Sequence, residues 1–343
     1  MTDQKNPRAK RAEPWKNEHC VWHYPRKEST WKKLREGQIT ATAAAALFGV
    51  SPYMTAYELY QVLTGTLSVE IGENERMTWG KRLEPVIAAG ICEDNGWNIV
   101  DARRYMFAIS TICDHMAASP DFLIEDPARP ELGVGLLEIK NVDKFVALDS
   151  WEDEEAPAHI EFQLQHQMGA TGLKWGAVGA LVGGNSVRTI ERTHDAEVIG
   201  EIMRRINDMC QRVAERREPS PDWLKDYDTI RAVYRDAEPA KSFDLDNPAP
   251  DSAFDVDVLQ TLIANAHEKN VAAKLADDDK KRAQSELLHY IGDTETVFGE
   301  SWKVSATTTH KAAYVAEFKE TSFRNLRVTK RTPKAEKPAN KGN

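Results

Sequence analysis

Two short segments combine acidic residues and a lysine in a pattern that suits metal-dependent chemistry. Asp121 follows Pro120, and sixteen residues separate it from Glu138, which begins the triplet Glu138-Ile139-Lys140. If the two segments are neighbouring strands, the carboxylates converge, and Lys140 shares a face with Glu138 because side chains alternate along a strand. Carboxylate oxygens suit Mg²⁺, which keeps positions open for water and for a substrate phosphate. The Ile139 carbonyl can add a neutral ligand, and the lysine can orient or help deprotonate an attacking water.

The triplet acid-x-lysine is a weak signal by itself. It also begins at Asp3, Asp278, Asp279 and Glu317. Glu138 differs because it lies in the apolar, strand-like run GVGLLEIKN, where charged side chains are out of place, and because a Pro-Asp pair stands on the adjoining predicted strand. The alternative is an ordinary ion pair at the edge of a sheet.

Hydrophobic periodicity predicts the elements that must position these residues. Predicted helices are TATAAAALFGVS, capped by Thr40 or Thr42, then TAYELYQVLTG, 79–95 with Gly96 as its stop, 157–172 and 195–217. Strands are predicted near 97–109, 112–124 and 133–141 as one antiparallel meander, with DPARPELG as its last turn, and as a pair in KWGAVGALVGG and SVRTIERT. The order indicates an α/β (α+β) fold, with a central mixed sheet flanked by helices.

Composition divides the chain further. The expected domains are a basic N-terminal arm (1–30), a core (31–235), a linker rich in Pro, Asp, Ala and Ser (236–254), a C-terminal extension (255–330) and a disordered basic tail (331–343). The extension reads as a long helix or helical hairpin, followed by a strand pair around VFGESWKVSATTT.

The net charge of -9 conceals a segregation of charge along the chain. Residues 1–36 contain ten basic and five acidic side chains, and residues 324–343 contain seven basic and one acidic. The body between them therefore carries a net charge of -20. An acidic body argues against a simple basic coat for nucleic acid. The basic ends either attract phosphate or only keep the chain in solution.

The four cysteines lie far apart without a CxxC pair. This spacing disfavours a disulfide framework and a finger-type zinc site, and it favours a reducing cytoplasm. No apolar run approaches the roughly 20 residues of a membrane span, and the basic N-terminus lacks the hydrophobic stretch of a signal peptide. We therefore expect no membrane partner and a cytoplasmic location.

Five blocks of the sequence, taken together and in order, resemble a known family. They are WKKLREGQITATAAAALFG, WGKRLE, SPD, LEIK and EFQLQHQM, and they span roughly residues 31–217. In this joint order they resemble the phage-type alkaline exonucleases of the lambda exonuclease and YqaJ family, within the PD-(D/E)xK nuclease superfamily. The resemblance implies a restriction-endonuclease-like core. It leaves the C-terminal extension outside.

The resemblance assigns roles at the metal site. Asp121 and Glu138 would be ligands together with the Ile139 carbonyl, and Lys140 would position the nucleophilic water. Glu84 would add a carboxylate to a second metal position through water, so a two-metal Mg²⁺ site is implied, with Mn²⁺ able to substitute. The alternative for Glu84 is an acidic residue on the helix surface, paired with Lys81 or Arg82.

One glutamine of the EFQLQHQM helix completes the implied site. Gln163 matches a family position near the attacking water, although Gln165 remains open as the true partner. A solvated helix face is the alternative for Gln163.

A second implied cluster would bind a 5′-phosphate. Arg35 offers a fork for bidentate phosphate contact, and Thr42 and Ser119 offer hydroxyl groups. The family pattern has serine where Thr42 stands, so the added methyl group would tighten the pocket. The alternative for Arg35 is a solvated basic residue.

The resemblance implies a Mg²⁺-dependent 5′ to 3′ exonuclease that degrades one strand of linear double-stranded DNA to mononucleotides and leaves 3′ overhangs. It also implies a homotrimeric ring, a single-strand annealing protein as partner, and phage or prophage recombination in the bacterial cytoplasm as the setting. Two alternatives stay open. They are a related nuclease of other polarity or an endonuclease, and a non-catalytic DNA-binding adaptor with the same fold.

Other polar and aromatic residues carry weaker signals. His159 and His166 lie seven residues apart on one predicted helix but lack an evident third metal ligand. Trp22, Tyr24 and Trp31 could stack on unpaired bases or anchor the N-terminal stretch to the core.

Overall fold

The computed structural model describes residues 17–68, 74–151, 155–239, 241–249, 252, 254–310 and 324–328. Two compact units divide the chain, 1–233 and 234–343. None of the helices in the described ranges has the length and apolar character that crossing a membrane requires.

Nine α-helices are found in the described ranges. They are α1 (Glu28–Arg35), α2 (Ala41–Ala44), α3 (Ala56–Leu63), α4 (Glu75–Asn95), α5 (Lys144–Ser150), α6 (Ala158–Thr171), α7 (Ala196–Glu215), α8 (Tyr227–Val233) and α9 (Val256–Ile291). Local signals fix their ends as expected. The Thr55 side chain caps α3, and Gly96 ends α4 in the left-handed conformation that glycine adopts without strain.

The strands of the first unit form two sheets. Their bounds are β1 (Cys20–His23), β2 (Ile39–Thr40), β3 (Asn98–Asp101), β4 (Phe107–Ser110), β5 (Met116–Ala118), β6 (Phe122–Glu125), β7 (Val134–Val142), β8 (Trp175–Val182) and β9 (Ser186–Thr193). The smaller sheet has the order β1-β4-β5-β2, and the larger has the order β3-β6-β7-β8-β9. In the larger sheet β7 and β8 are parallel and the other pairs are antiparallel, so the predicted mixed sheet flanked by helices is confirmed.

Helix α6 packs against strands of both sheets. Leu164 and Met168 join the core on the inner face of the larger sheet, and Ala170 joins a second core with Met116 of the smaller sheet. This double packing explains why residues 164–171 are all buried. The helix therefore has no solvent face along this stretch.

Helix α4 covers the opposite face of the larger sheet. Ile87 and Ile91 pack there with Leu137 and Ile139 of β7. Gly179 of β8 permits this close approach, because a Cβ added there would lie 2.2 Å from the Ile91 Cδ1 atom. The two faces of β7 thus contact different helices, with α6 on the face of Glu138.

The single predicted meander over 97–141 is wrong. The segment 97–109 contains β3 and β4, and 112–124 contains β5 and β6, and the members of each pair belong to different sheets. Strand β4 instead pairs with β1, so residues 20–23 of the predicted arm are part of a sheet. The predicted pairing of β6 with β7 and of β8 with β9 is confirmed.

The second unit contains one long helix and a hairpin in the described ranges. Helix α9 is continuous over 36 residues, with Asp255 capping its first turn. Strands β10 (Thr296–Phe298) and β11 (Lys303–Ser305) pair antiparallel within VFGESWKVSATTT. The tail 331–343 lies outside the described residues.

Candidate active site

The segment Ser119-Pro120-Asp121 carries the chain from one sheet to the other. Strand β5 of the smaller sheet ends at Ala118, and β6 of the larger sheet begins at Phe122. Asp121 therefore stands at the first position before a strand that pairs with β7. Its Oδ2 atom accepts a hydrogen bond from the Ile139 backbone N–H at 2.9 Å.

Glu138 and Lys140 contact each other on the face of β7 that α6 covers. The Lys140 Nζ atom donates to the Glu138 Oε1 atom at 2.6 Å. The Glu138 side chain is 5% exposed and that of Lys140 is 26% exposed, so this is a largely buried pair. The alternative of a solvated ion pair at a sheet edge does not describe it, because β7 lies between β6 and β8.

Two glutamines of α6 hold the Glu138 carboxylate. The Gln163 side-chain amide donates to Oε1, and Gln163 also accepts a 3.2 Å hydrogen bond from Lys140. Gln167 donates to Oε2 at 2.8 Å. Gln165 lies elsewhere, since its amide donates to the Thr193 carbonyl and accepts from the Asp195 backbone N–H. Gln163 is thus the predicted glutamine that contacts Glu138 and Lys140.

Gln167 was not among the predicted site residues. It lies one helical turn after Gln163, and side chains four residues apart share a helix face. That spacing was the available signal. Its Oε1 atom is buried without a hydrogen-bond partner in the described structure.

Ile139 lies just beyond the end of the ladder between β6 and β7. The terminal pair of that ladder is Phe122 with Leu137, and the Ile139 backbone N–H beyond it donates to the Asp121 side chain. Because the N–H and C=O groups of one strand residue point to the same side, the Ile139 carbonyl faces the Asp121 side of β7. The predicted neutral ligand is therefore beside Asp121.

Burial and mutual repulsion act on the carboxylates. Burial raises the pKa of Asp121 well above its ordinary value, and the neighbouring Glu138 charge raises it further. Burial and Glu138 also raise the pKa of Glu84. Burial alone would lower the pKa of Lys140, but Glu138 and Asp121 outweigh that effect and raise it. The charged form of Lys140 is thus favoured, while Asp121 and Glu84 lie where a negative charge is costly unless a proton or a cation neutralises it.

Glu84 reaches the site from α4. It lines a cavity of ≈ 640 Å³ together with Asp121 and Ser119. Nearby Lys81 lowers the pKa of Glu84 but does not overcome burial. The predicted convergence of Glu84 with the other two acids is consistent with these couplings.

The 5′-phosphate candidates lie in two separate places. Arg35 stacks over Trp31, with its Cζ atom 4.4 Å from the ring centroid, and its Nη2 atom donates to the Thr40 hydroxyl at 3.2 Å. Trp31 in turn donates to the Ser119 hydroxyl at 3.2 Å, and Ser119 donates to a backbone carbonyl. Thr42 is exposed and is not the helix cap, a position that Thr40 occupies.

Thr42 lines a second cavity, of ≈ 440 Å³, together with Lys140 and Gln163. The structure therefore connects Arg35 to Ser119 through Trp31 and places Thr42 beside the lysine. It does not bring the three candidates into direct contact with one another.

The remaining aromatic and histidine candidates have packing roles. Trp22 and Tyr24 stack on each other, with their ring centroids 6.3 Å apart, and both pack against the core. Trp31 is hydrogen-bonded to Ser119. These contacts favour anchoring of the N-terminal stretch over stacking on DNA bases. His166 is fully buried with Nε2 at 3.0 Å from the Ala117 carbonyl, and His159 stacks edge-on with Tyr53.

Across the described ranges, no group of three or more His, Cys, Asp and Glu side chains is arranged to hold a metal ion unaided. A metal at Asp121 and Glu138 would therefore draw on the Ile139 carbonyl and water as well. Carboxylate and carbonyl oxygens are the donors that Mg²⁺ prefers.

Comparison with known proteins gives one family match. Residues 30–174 match the model of the YqaJ-like viral recombinase domain, which confirms the predicted resemblance. A curated relative, the Uncharacterized protein YqaJ of Bacillus subtilis (strain 168), is 27% identical over 177 residues. The match covers 51% of this chain and 52% of the relative, so the chain spans about half the length of that protein.

Solved structures include two exonucleases that align with this chain. The alkaline exonuclease LHK-Exo from Laribacter hongkongensis aligns with a TM-score of 0.44 and 22% identity, over 59% of this chain and 98% of that protein. A phage related exonuclease from Haemophilus somnus 129PT aligns with a TM-score of 0.32 and 13% identity, over 56% and 89%.

Proposed function

We propose, from the match of residues 30–174 to the YqaJ-like viral recombinase domain, that the chain is a metal-dependent nuclease acting on DNA. In the finer form of the proposal it digests one strand of linear double-stranded DNA from the 5′ end and leaves 3′ overhangs. The observation that carries the proposal is the contact of Glu138 with Lys140 and Gln163 beside Asp121. This arrangement brings acidic side chains, the Lys140 ammonium group and the Gln163 side-chain amide close together.

The donor set fits a hard divalent cation. Asp121, Glu138 and the Ile139 carbonyl would hold Mg²⁺ or Mn²⁺, and Glu84 would reach a second metal position through water. A cation there would relieve the repulsion that raises the pKa of Asp121 and Glu84. When bound, the ion would polarise the phosphate and the attacking water.

The side chains of the site then position the reacting water. Lys140 donates hydrogen bonds from its ammonium group, and the Gln163 side-chain amide, which can both donate and accept, lies next to it. A water that hydrogen-bonds to both groups would be oriented by them, which would lower the barrier by placing it near the phosphorus before reaction. The buried Glu138 keeps Lys140 in place for that task.

The 5′-end preference would come from Arg35, Thr42 and Ser119. Arg35 is held over Trp31, so its fork is oriented before a phosphate arrives. Ser119 lines the cavity that contains Asp121, and Thr42 lines the cavity that contains Lys140. Contacts to phosphate rather than to bases predict little sequence preference.

The assembly and setting are part of the same proposal. We infer a homotrimer enclosing DNA, a single-strand annealing protein as partner, and action in the bacterial cytoplasm during phage or prophage recombination. The support is the family resemblance, and the extension 255–330 is the candidate contact for the trimer or the partner.

The test compares two variants of the triplet with a matched control. Glu138→Gln and Lys140→Met should abolish Mg²⁺-dependent release of label from linear DNA while DNA binding stays measurable. Asp278 and Lys280 form the same triplet on the exposed helix α9, so Lys280→Met should retain activity. Retained digestion in both site variants would refute the assignment of the site.

Substrates with labels at each end decide the finer claim. Release from a 5′ label before a 3′ label supports the proposed polarity. Release in the opposite order, or cleavage of a closed circular duplex, would favour a nuclease of the other polarity or an endonuclease.

A further inference from the structure

Two arginines on the cavity beside Asp121 each lie over an aromatic ring. The Arg104 Cζ atom is 4.9 Å from the centroid of the Tyr105 ring, and the Arg82 Cζ atom is 5.1 Å from that of Trp79. Both arginines are exposed and line the ≈ 640 Å³ cavity. A ring beneath a guanidinium group restricts its orientation while its N–H edge can still meet a phosphate.

The backbone at Tyr105 is held in a conformation that a tyrosine rarely adopts. Its φ angle is 64°, in the left-handed region, which is unfavourable for a bulky residue. The ring lies 5.7 Å from that of Trp31, and Trp31 is bonded to Ser119, two residues before Asp121. The support of Arg104 is thus tied to the segment that carries a candidate ligand. Strain of this kind is retained where the surrounding structure imposes it, often at functional sites.

Both acidic and basic side chains line the cavity. Its lining includes the carboxyl groups of Asp121 and Glu84, which would repel a phosphodiester chain. Arg82 and Arg104 oppose that repulsion on the same cavity. A volume of ≈ 640 Å³ is typical of a site for a small molecule, so it suits roughly one or two nucleotides of a single strand rather than a double helix.

We propose that Arg82 and Arg104 bind the phosphate backbone of one unpaired DNA strand and hold it over Asp121 and Glu84. This inference rests on the proposed nuclease function and adds a strand-binding site to it. Tyr105 is a positioning residue in this site, because it acts through Arg104.

The binding test uses the full chain, fluorescent oligo(dT) and EDTA, so that no cleavage occurs. Arg82→Gln and Arg104→Gln should each raise Kd about fivefold and lower the salt dependence of log K by about 0.7, since each removes one phosphate contact to a single strand. Arg217→Gln, at an exposed arginine of the same unit, is the matched control and should leave both quantities unchanged.

Two variants of Tyr105 separate positioning from a general structural effect. Tyr105→Asn removes the ring while asparagine tolerates the left-handed backbone, so it should weaken oligo(dT) binding as Arg104→Gln does. Tyr105→Phe keeps the ring and should bind as the parent chain does. Equal loss in both variants would remove Tyr105 from the site.

The outcomes distinguish this inference from the proposed function. If the parent chain digests linear DNA with Mg²⁺ but both arginine variants bind oligo(dT) within twofold of it, the strand-binding site is refuted and the nuclease stands. A loss confined to blunt duplex DNA would likewise overturn the claim of an unpaired strand. A parent chain that neither binds nor digests DNA would overturn both.

Discussion

Gln167 and Glu138 form a hydrogen bond between two buried side chains, with the glutamine amide 2.8 Å from the carboxylate Oε2 atom. The other carboxylate oxygen receives Gln163 and Lys140. Glu138 is therefore held at both oxygens from one helix and one strand, before any substrate arrives. Held in this way, the Glu138 carboxylate would lose little conformational freedom on binding an ion.

Replacing Gln167 tests whether this bond matters for activity. Gln167→Leu should reduce the digestion rate about 10- to 100-fold, the usual cost of losing a partner of a metal ligand. Mn²⁺ affinity, measured by electron paramagnetic resonance, should fall with it. Gln165→Leu is the matched control, because Gln165 is buried in the same helix but bonds to Thr193 and Asp195 instead. Equal loss of activity in both variants would indicate a structural role only.

Replacing Arg35 tests the 5′-phosphate pocket. Arg35→Ala should bring the digestion of 5′-phosphorylated ends down to that of 5′-hydroxyl ends, because the bidentate contact is lost. The measured quantity is the ratio of the two initial rates. Lys33→Ala, at an exposed residue of the same helix, should leave that ratio unchanged. An unchanged ratio in the Arg35 variant removes it from the pocket.

Gly179 should be intolerant of a side chain. Its Cβ would meet Ile91 of α4 at 2.2 Å, so Gly179→Ala should lower the free energy of unfolding by about 1–3 kcal/mol. Denaturant unfolding measures this change. Gly90→Ala in α4 is the control, because a Cβ there meets nothing within 4 Å. It should stabilise the helix by about 0.5–1 kcal/mol.

His166 should make the fold sensitive to acid. Burial lowers its pKa to about 4 from 6.5, and its bond to Ala117 opposes that effect only in part. The folded state therefore binds fewer protons than the unfolded state between these values, so stability falls as pH falls through this window. The shift corresponds to about 3 kcal/mol.

The comparison for that prediction is His166→Gln, which keeps an N–H donor and cannot titrate. Unfolding by urea from pH 7.5 down to about pH 4 should show a smaller loss for the variant than for the parent chain. Parallel curves would show that His166 does not contribute to acid sensitivity.

The sequence predicts strand β7 well, because the alternation of side chains between the two faces of a strand is a local property. The period of two places Glu138 and Lys140 on one face, and the turn DPARPELG predicts the pairing of β6 with β7. Alternation does not say which strands pair across the chain. Strand β5 looks like part of the same run as β6, and its partner β4 pairs with β1 from the N-terminal stretch, so the second sheet was missed.

The glutamines of α6 illustrate a second limit. When a helix has one apolar and one polar face, the sequence pattern predicts which residues point inward. Helix α6 packs against two sheets, and its residues 164–171 are all buried, so the sequence there has no separate polar face. The sequence predicts Gln163 as the site residue from the family pattern but leaves Gln165 open as an alternative. Tertiary contacts separate them, because one meets Glu138 and the other meets Thr193.

The passage between the two sheets has a consequence for the end of β7. The chain enters β6 only at Phe122, so Ile139 lies beyond the terminal pair of the β6–β7 ladder. There the Asp121 side chain, and not a strand backbone, accepts the Ile139 N–H. A carboxylate thus stands in for a neighbouring strand, and the junction of the sheets is where the proposed metal ion and DNA end would meet.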